Sequence, residues 1–165
     1  MIQPIYLYGS EVLRKVAPAA DLADKEGLGK LVTDLWETLD RSEGCGLAAP
    51  QIGVSLRVAV VNGDIMSDVY PYLKGFRRTF INPVVVSESE TECEFNEGCL
   101  SVPGKHATVT RAMKITVKAQ DINMNEFTLE AEDFLARAIQ HEYDHLDGIL
   151  YVDKAEGPVE DNERE

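Results

Sequence analysis

The stretch from Asp133 to Gly148 constrains this chain most, because an apolar helical stripe runs directly into a pair of histidines. Phe134, Leu135, Ala138 and Ile139 recur at helical spacing, which predicts a helix from Asp133 to Leu146. Asp133 can cap its first turn, and Gly148 can supply a left-handed stop. His141 and His145 continue the line of Phe134 and Ala138, so both rings should face the body of the protein. Arg137, Gln140 and Asp144 are expected on the opposite, solvent side. A helix with such a stripe must be covered by another layer.

The histidines belong to His141-Glu142-Tyr143-Asp144-His145, an H-E-x-x-H pattern. Residues four apart lie on one helix face, about 6 Å apart along the axis, so two imidazoles can grip one metal ion. Glu142 projects about 100° round from His141 and can act as general base on a water at that ion. Read alone, the pattern also fits a polar helix end with two ordinary histidines. The chain has 3 histidines in all, which makes a compositional coincidence a weaker explanation.

A catalytic metal site needs a third protein ligand. Only 20 residues follow His145 (165 − 145), and none is histidine. Asp153 and Glu156 lie near a loose end, so the ligand is expected upstream, among the cysteines and His106. Glu97-Gly98-Cys99-Leu100-Ser101 suits it best, because a glycine beside the cysteine lets backbone approach a ligand. Cys45 and Cys93 read as small buried hydrophobes.

A third segment is Gly44-Cys45-Gly46-Leu47-Ala48-Ala49-Pro50-Gln51-Ile52-Gly53. It is no phosphate loop, since no Lys-Ser/Thr follows. Its small residues suit either a tight turn on the core or an extended peptide lying along the backbone. Gln51 can orient a water or an oxyanion.

The remaining chain alternates short β-branched runs with turns. Leu28, Leu31, Val32, Leu35, Trp36 and Leu39 predict an amphipathic helix over Lys25 to Arg41, with Trp36 in the core. Strands are expected at 57–61, 84–86, 108–111, 115–119 and 127–129, with a loop excursion over 62–78. The fold class is α+β: antiparallel sheets packed around the C-terminal helix, with an amphipathic helix near the N-terminus. One domain is expected over 1–155. Residues 156–165 are strongly acidic and read as a disordered tail.

A length of 165 residues suffices for a real core, and the apolar fraction of 44% is that of a soluble protein. No apolar run is long enough for a bilayer, and the first residues do not resemble a secretory signal. A net charge of −13 works against binding nucleic acid. An odd count of 3 cysteines fits a reducing compartment, so the cytoplasm is expected.

Together, Gly44 to Gln51, Glu97 to Ser101 and His141 to Gly148 resemble the motifs of the peptide deformylases, in the family's order. The resemblance covers about 13–151. It implies hydrolysis of the N-formyl group from the formyl-methionine of newly made polypeptides, with release of formate. It implies Cys99, His141 and His145 as metal ligands and Glu142 as base and acid. It implies Gln51 and the Leu100 N–H as oxyanion donors, with the Gly46 backbone nearby. Substrate contacts are expected from Gly44, Cys45, Glu97, Gly98, His106, Phe134 and Ala138. One Fe(II) per chain is the favoured cofactor, with Zn, Ni or Co as alternatives. Formyl-methionyl nascent peptides, met at the ribosome, are the expected partners, with no membrane and no directly bound nucleic acid.

Three residues depart from the family's usual pattern. Cys45 and Arg137 stand where many relatives carry aliphatic residues, and His106 where they often carry Arg or Tyr. Two rival readings of the same residues are a metallopeptidase cleaving internal bonds and a structural or thiol-sensing metal protein. Glu142 argues against the latter, because a structural site needs no base.

Overall fold

The computed structural model describes residues 1–162. The first helix, α1 (Lys25–Ser42), begins at Asp24, whose carboxylate accepts from the Gly27 N–H at 3.0 Å. It ends at Glu43 in the left-handed region, φ 57°. Leu28, Leu31, Val32, Leu35 and Leu39 form its buried stripe. Trp36 is half-buried and donates its indole N–H to Thr79 Oγ1 at 3.0 Å.

Five antiparallel strands follow one another across the first sheet in the order β1 (Gly46–Ala48), β2 (Val58–Asn62), β3 (Arg77–Glu88), β6 (Lys114–Gln120) and β7 (Glu126–Glu132). All of β2 is buried, and its side chains alternate between two cores. Val58 and Val60 pack with the α1 stripe, whereas Val61 joins the cluster built on the second helix. The sheet therefore lies between the two helices.

The second helix, α2 (Asp133–Leu146), runs over the residues its periodicity indicated. It touches β1, β2, β6 and β7 of the first sheet and one strand of the second. That second sheet is the hairpin of β4 (Glu92–Cys99) and β5 (Val102–Ala112), extended by β8 (Glu160–Asp161). Two antiparallel sheets thus pack around α2, as expected. Among the described residues, no helix is long and apolar enough to cross a membrane.

Several local expectations change. Asp133 does not cap α2: it has φ 58°, and the first turn carries no side-chain cap from Glu132. The Leu135 N–H instead meets the Tyr72 hydroxyl at 3.4 Å, a partner supplied by the excursion between β2 and β3. That excursion forms two short 3-10 turns, at Asp64–Met66 and Pro71–Leu73. Gly148 does end the helix region with φ 75°, and a Cβ there would sit 2.6 Å from the Arg14 carbonyl.

Arg137, Gln140 and Asp144 are buried, not solvated. The second sheet covers the side of α2 expected to face water, and each polar group finds a partner there. The acidic tail is also placed differently as far as Asn162. Glu160 and Asp161 pair with His106 and Lys105 of β5, and Lys105 forms an ion pair with Asp161. Basic side chains on the strand edge give the acidic segment a partner of opposite sign. The last positions of the expected tail, 163–165, lie outside the described residues.

Candidate metal centre

The hairpin β4–β5 and the helix α2 bring three soft or borderline donors together. Cys99, at the tip of β4, meets His141 and His145 of α2 so that one donor atom of each lies within 4.8 Å of the others. The Cys99 Sγ lies 3.4 Å from His145 Nε2. The Ser101 N–H points at the same sulfur from 3.4 Å, and Gln51 Nε2 from 3.5 Å. The two imidazoles sit edge to face, 5.0 Å between centroids, and Tyr151 stacks on His141.

Glu97 sets the orientation of His141. Its Oε1 accepts from His141 Nδ1 at 2.9 Å, which leaves Nε2 as the ring's free nitrogen. A carboxylate behind a ligand histidine fixes the tautomer and increases the ring's basicity. Arg111 grips the same carboxylate with both faces of its fork, at 2.6 and 2.9 Å, and reaches Asp144 at 2.8 Å. Arg137 also pairs with Glu97. Burial alone would push the Glu97 carboxyl up, but the bonds from His141 and Arg111 outweigh it and hold it well below the usual carboxylate range.

The two histidines are driven apart. Burial works against charge on both rings. At His141 the bonds to Cys99 and Glu97 reverse the balance and hold its pKa well above the ordinary value. At His145, burial and the neighbouring His141 push it well below.

Glu142 lies beside this group with only 5% of its surface exposed. Burial raises its carboxyl to about 7, and Oε1 has no hydrogen-bond partner among the described residues. Its other oxygen lies against Gly46, where a side chain would overlap the carboxylate. His145 Nδ1 is likewise buried without a partner.

The group opens into a cavity of about 490 Å³, within the range of small-ligand sites. Gly44, Cys45, Gly46, Glu97, Gly98, Leu100, Phe134 and Ala138 line it, together with Cys99, His141 and Glu142. Gln51 and His145 lie just beneath, almost fully buried. His106 does not line the cavity; its ring turns to Asn162, 2.7 Å away. Its neighbour Lys105 and Asn162 take that place at the rim.

Phe95 and Arg137 also line the cavity and were not singled out as site residues from the sequence. A signal existed for Arg137, which stands one turn before His141 and shares its helix face. Phe95 stands two residues before Glu97 on β4, so strand alternation could have placed it on the same side.

Comparison with known proteins agrees with this arrangement. The profile of the polypeptide deformylase family matches residues 2–160. Peptide deformylase 1 of Clostridium perfringens is 47% identical over 143 residues, covering 87% of this chain and 90% of the relative. This chain belongs to the polypeptide deformylase family. The family's known reaction is removal of the N-formyl group from polypeptides, by metal-dependent hydrolysis.

The deformylase of Flavobacterium psychrophilum is 42% identical, covering 93% of this chain and 82% of the relative. Among solved structures, a peptide deformylase from Legionella pneumophila superimposes with a TM-score of 0.83 at 45% identity, over 93% of this chain and 86% of that one. The deformylase of Thermotoga maritima gives 0.85 at 32% identity, over 95% and 99%. The α+β architecture around α2 is therefore that of the family.

Proposed function

We propose that the chain removes the formyl group from formyl-methionyl peptides with Cys99, His141 and His145 holding one divalent metal and Glu142 carrying the proton. The observation that carries this reading is the convergence of the three donors within 4.8 Å beside the buried Glu142 carboxyl. One sulfur and two imidazoles suit zinc, iron, cobalt or nickel. We favour Fe(II), on the likeness to the family. Such an ion supplies Lewis acidity and lowers the pKa of a water towards about 7.

The protein's own groups have defined tasks. Glu142, raised to about 7, can take a proton from water and return it to the leaving amine near neutral pH. Gln51 has its oxygen fixed by the Ala48 N–H at 2.9 Å and one N–H on Ser101 Oγ at 3.1 Å. Its second N–H meets only Cys99, over a long 3.5 Å, so the held amide keeps this donor available to a developing oxyanion. Leu100 and Gly46 line the same cavity, and we assign the Leu100 N–H as a second oxyanion donor, with the Gly46 backbone nearby.

Gly44, Cys45 and Gly98 offer backbone along which an extended peptide can lie. Phe95, Phe134 and Ala138 form an apolar wall suited to a methionine side chain. The formyl carbon carries only hydrogen, so a narrow approach beside Gly46 can exclude larger acyl groups. We place the reaction in the cytoplasm, on nascent chains at the ribosome. The net charge of −13 supports contact through ribosomal protein more than through RNA.

The test compares metal-replete protein on formyl-Met-Ala-Ser, acetyl-Met-Ala-Ser and unformylated casein. Formate release from the first substrate alone is the expected result. Cleavage of casein would favour a metallopeptidase. No turnover of any of the three would leave a structural metal site and overturn the proposal.

A further inference from the structure

Arg137 carries its guanidinium at 4% exposure on α2, the helix that also carries His141 and Glu142. Both of its terminal nitrogens are engaged within the protein. Nη1 pairs with Glu97 Oε2 and donates to the Val109 carbonyl at 3.0 Å, and Nη2 donates to the Cys93 carbonyl at 2.7 Å. The guanidinium also lies under the Phe95 ring, 5.6 Å from its centroid. Arg137 also lines the cavity, but its terminal nitrogens are committed to the hairpin.

The partners of Arg137 are informative. Arg137 and His141 stand four residues apart on α2, and both bind the carboxylate of Glu97. Glu97 stands on β4 two residues before Cys99. The two carbonyls belong to β4 and β5, and a backbone carbonyl cannot move away by changing rotamer. Arg137 thus ties the helix that carries His141 and His145 to the hairpin that carries Cys99. Arg111 also joins the two elements, through Asp144, but by side chains alone.

We propose that Arg137 is a positioning residue for the metal centre. It holds Glu97 where it orients His141, and it fixes the separation between α2 and the β4–β5 hairpin. The inference rests on the assignment of Cys99, His141 and His145 as ligands. The planar fork is essential to it: a single ammonium can neutralise Glu97 but cannot span both strand carbonyls as well.

The experiment uses cobalt(II)-substituted protein and reads two quantities besides activity. One is the thiolate-to-cobalt absorption band, and the other is the rate of metal release to a chelator. In Arg137→Met the stem volume is kept, release should accelerate at least about tenfold, and the band should shift. Arg137→Lys should fall between that variant and the unaltered protein. Unaltered release and an unaltered band in Arg137→Met, even with a lowered Tm, would show a merely structural role and overturn the inference. If Arg137→Met does not fold, Arg137→Lys decides, and release at the unaltered rate there overturns it. Absence of a thiolate band in the unaltered protein would remove the ligand assignment itself, and the role of Arg137 with it.

Discussion

Gly46 and Glu142 approach so closely that no side chain fits between them. A Cβ built on Gly46 would lie 2.8 Å from Glu142 Cδ and 2.9 Å from its Cγ. The backbone of strand β1 therefore meets the Glu142 side chain of α2 at the point where the carboxyl sits. Gly46→Ala should displace Glu142 while leaving the three donor residues untouched. The expected result is a loss of at least about 10²-fold in kcat, with metal content retained. Formate release and metal analysis on the same sample check it, and an active, metal-loaded Gly46→Ala protein would separate Glu142 from the chemistry.

Cys45, half-buried on the cavity wall, should behave as a protonated thiol and not as a nucleophile. Burial, aided by the negative Glu142, pushes its pKa from 9.0 to about 12. The folded state keeps this proton longer than the unfolded state does. The stabilisation is fully present below pH 9 and is lost as pH rises towards about 12. Alkylation at pH 8 followed by mass spectrometry should find Cys45 unmodified in the folded protein and modified after denaturation. Rapid modification of Cys45 in the folded protein at pH 8 would contradict this.

Gly148 stops α2 and lets the chain pass against the Arg14 carbonyl. Gly148→Ala would force a side chain into φ 75° and place its Cβ 2.6 Å from that oxygen. A destabilisation of about 1–3 kcal/mol is expected, read as a lower midpoint in denaturant. An unchanged midpoint would show that Arg14 and its segment move aside freely.

The three residues that converge at the candidate metal centre were legible because local pattern carries them. His141 and His145 continue an apolar helical stripe, and Cys99 sits beside a glycine in a chain with few cysteines. The environment of Arg137 was not legible in the same way. A polar residue on an amphipathic helix reads as solvated, and its partners Cys93, Glu97 and Val109 belong to a hairpin more than 25 residues upstream. Nothing local marks that hairpin as the cover of the polar face. The acidic tail misled for a related reason. Composition alone argues for disorder, but Lys105 and His106 on an open strand edge supply what Glu160 and Asp161 lack. Sheet order was equally hidden: β6 lies beside β3, with the β4–β5 hairpin inserted between them in sequence.

If Glu142 moves the proton while Cys99, His141 and His145 hold the metal, Glu142→Gln should separate the two roles. The substitution keeps the shape of the side chain against Gly46 and removes only its ability to accept a proton. Metal content and kcat on formyl-Met-Ala-Ser are measured on one preparation. One equivalent of metal with kcat lowered at least about 10²-fold is the expected result. A metal-loaded Glu142→Gln protein turning over at nearly the unaltered rate would contradict proton transfer through Glu142.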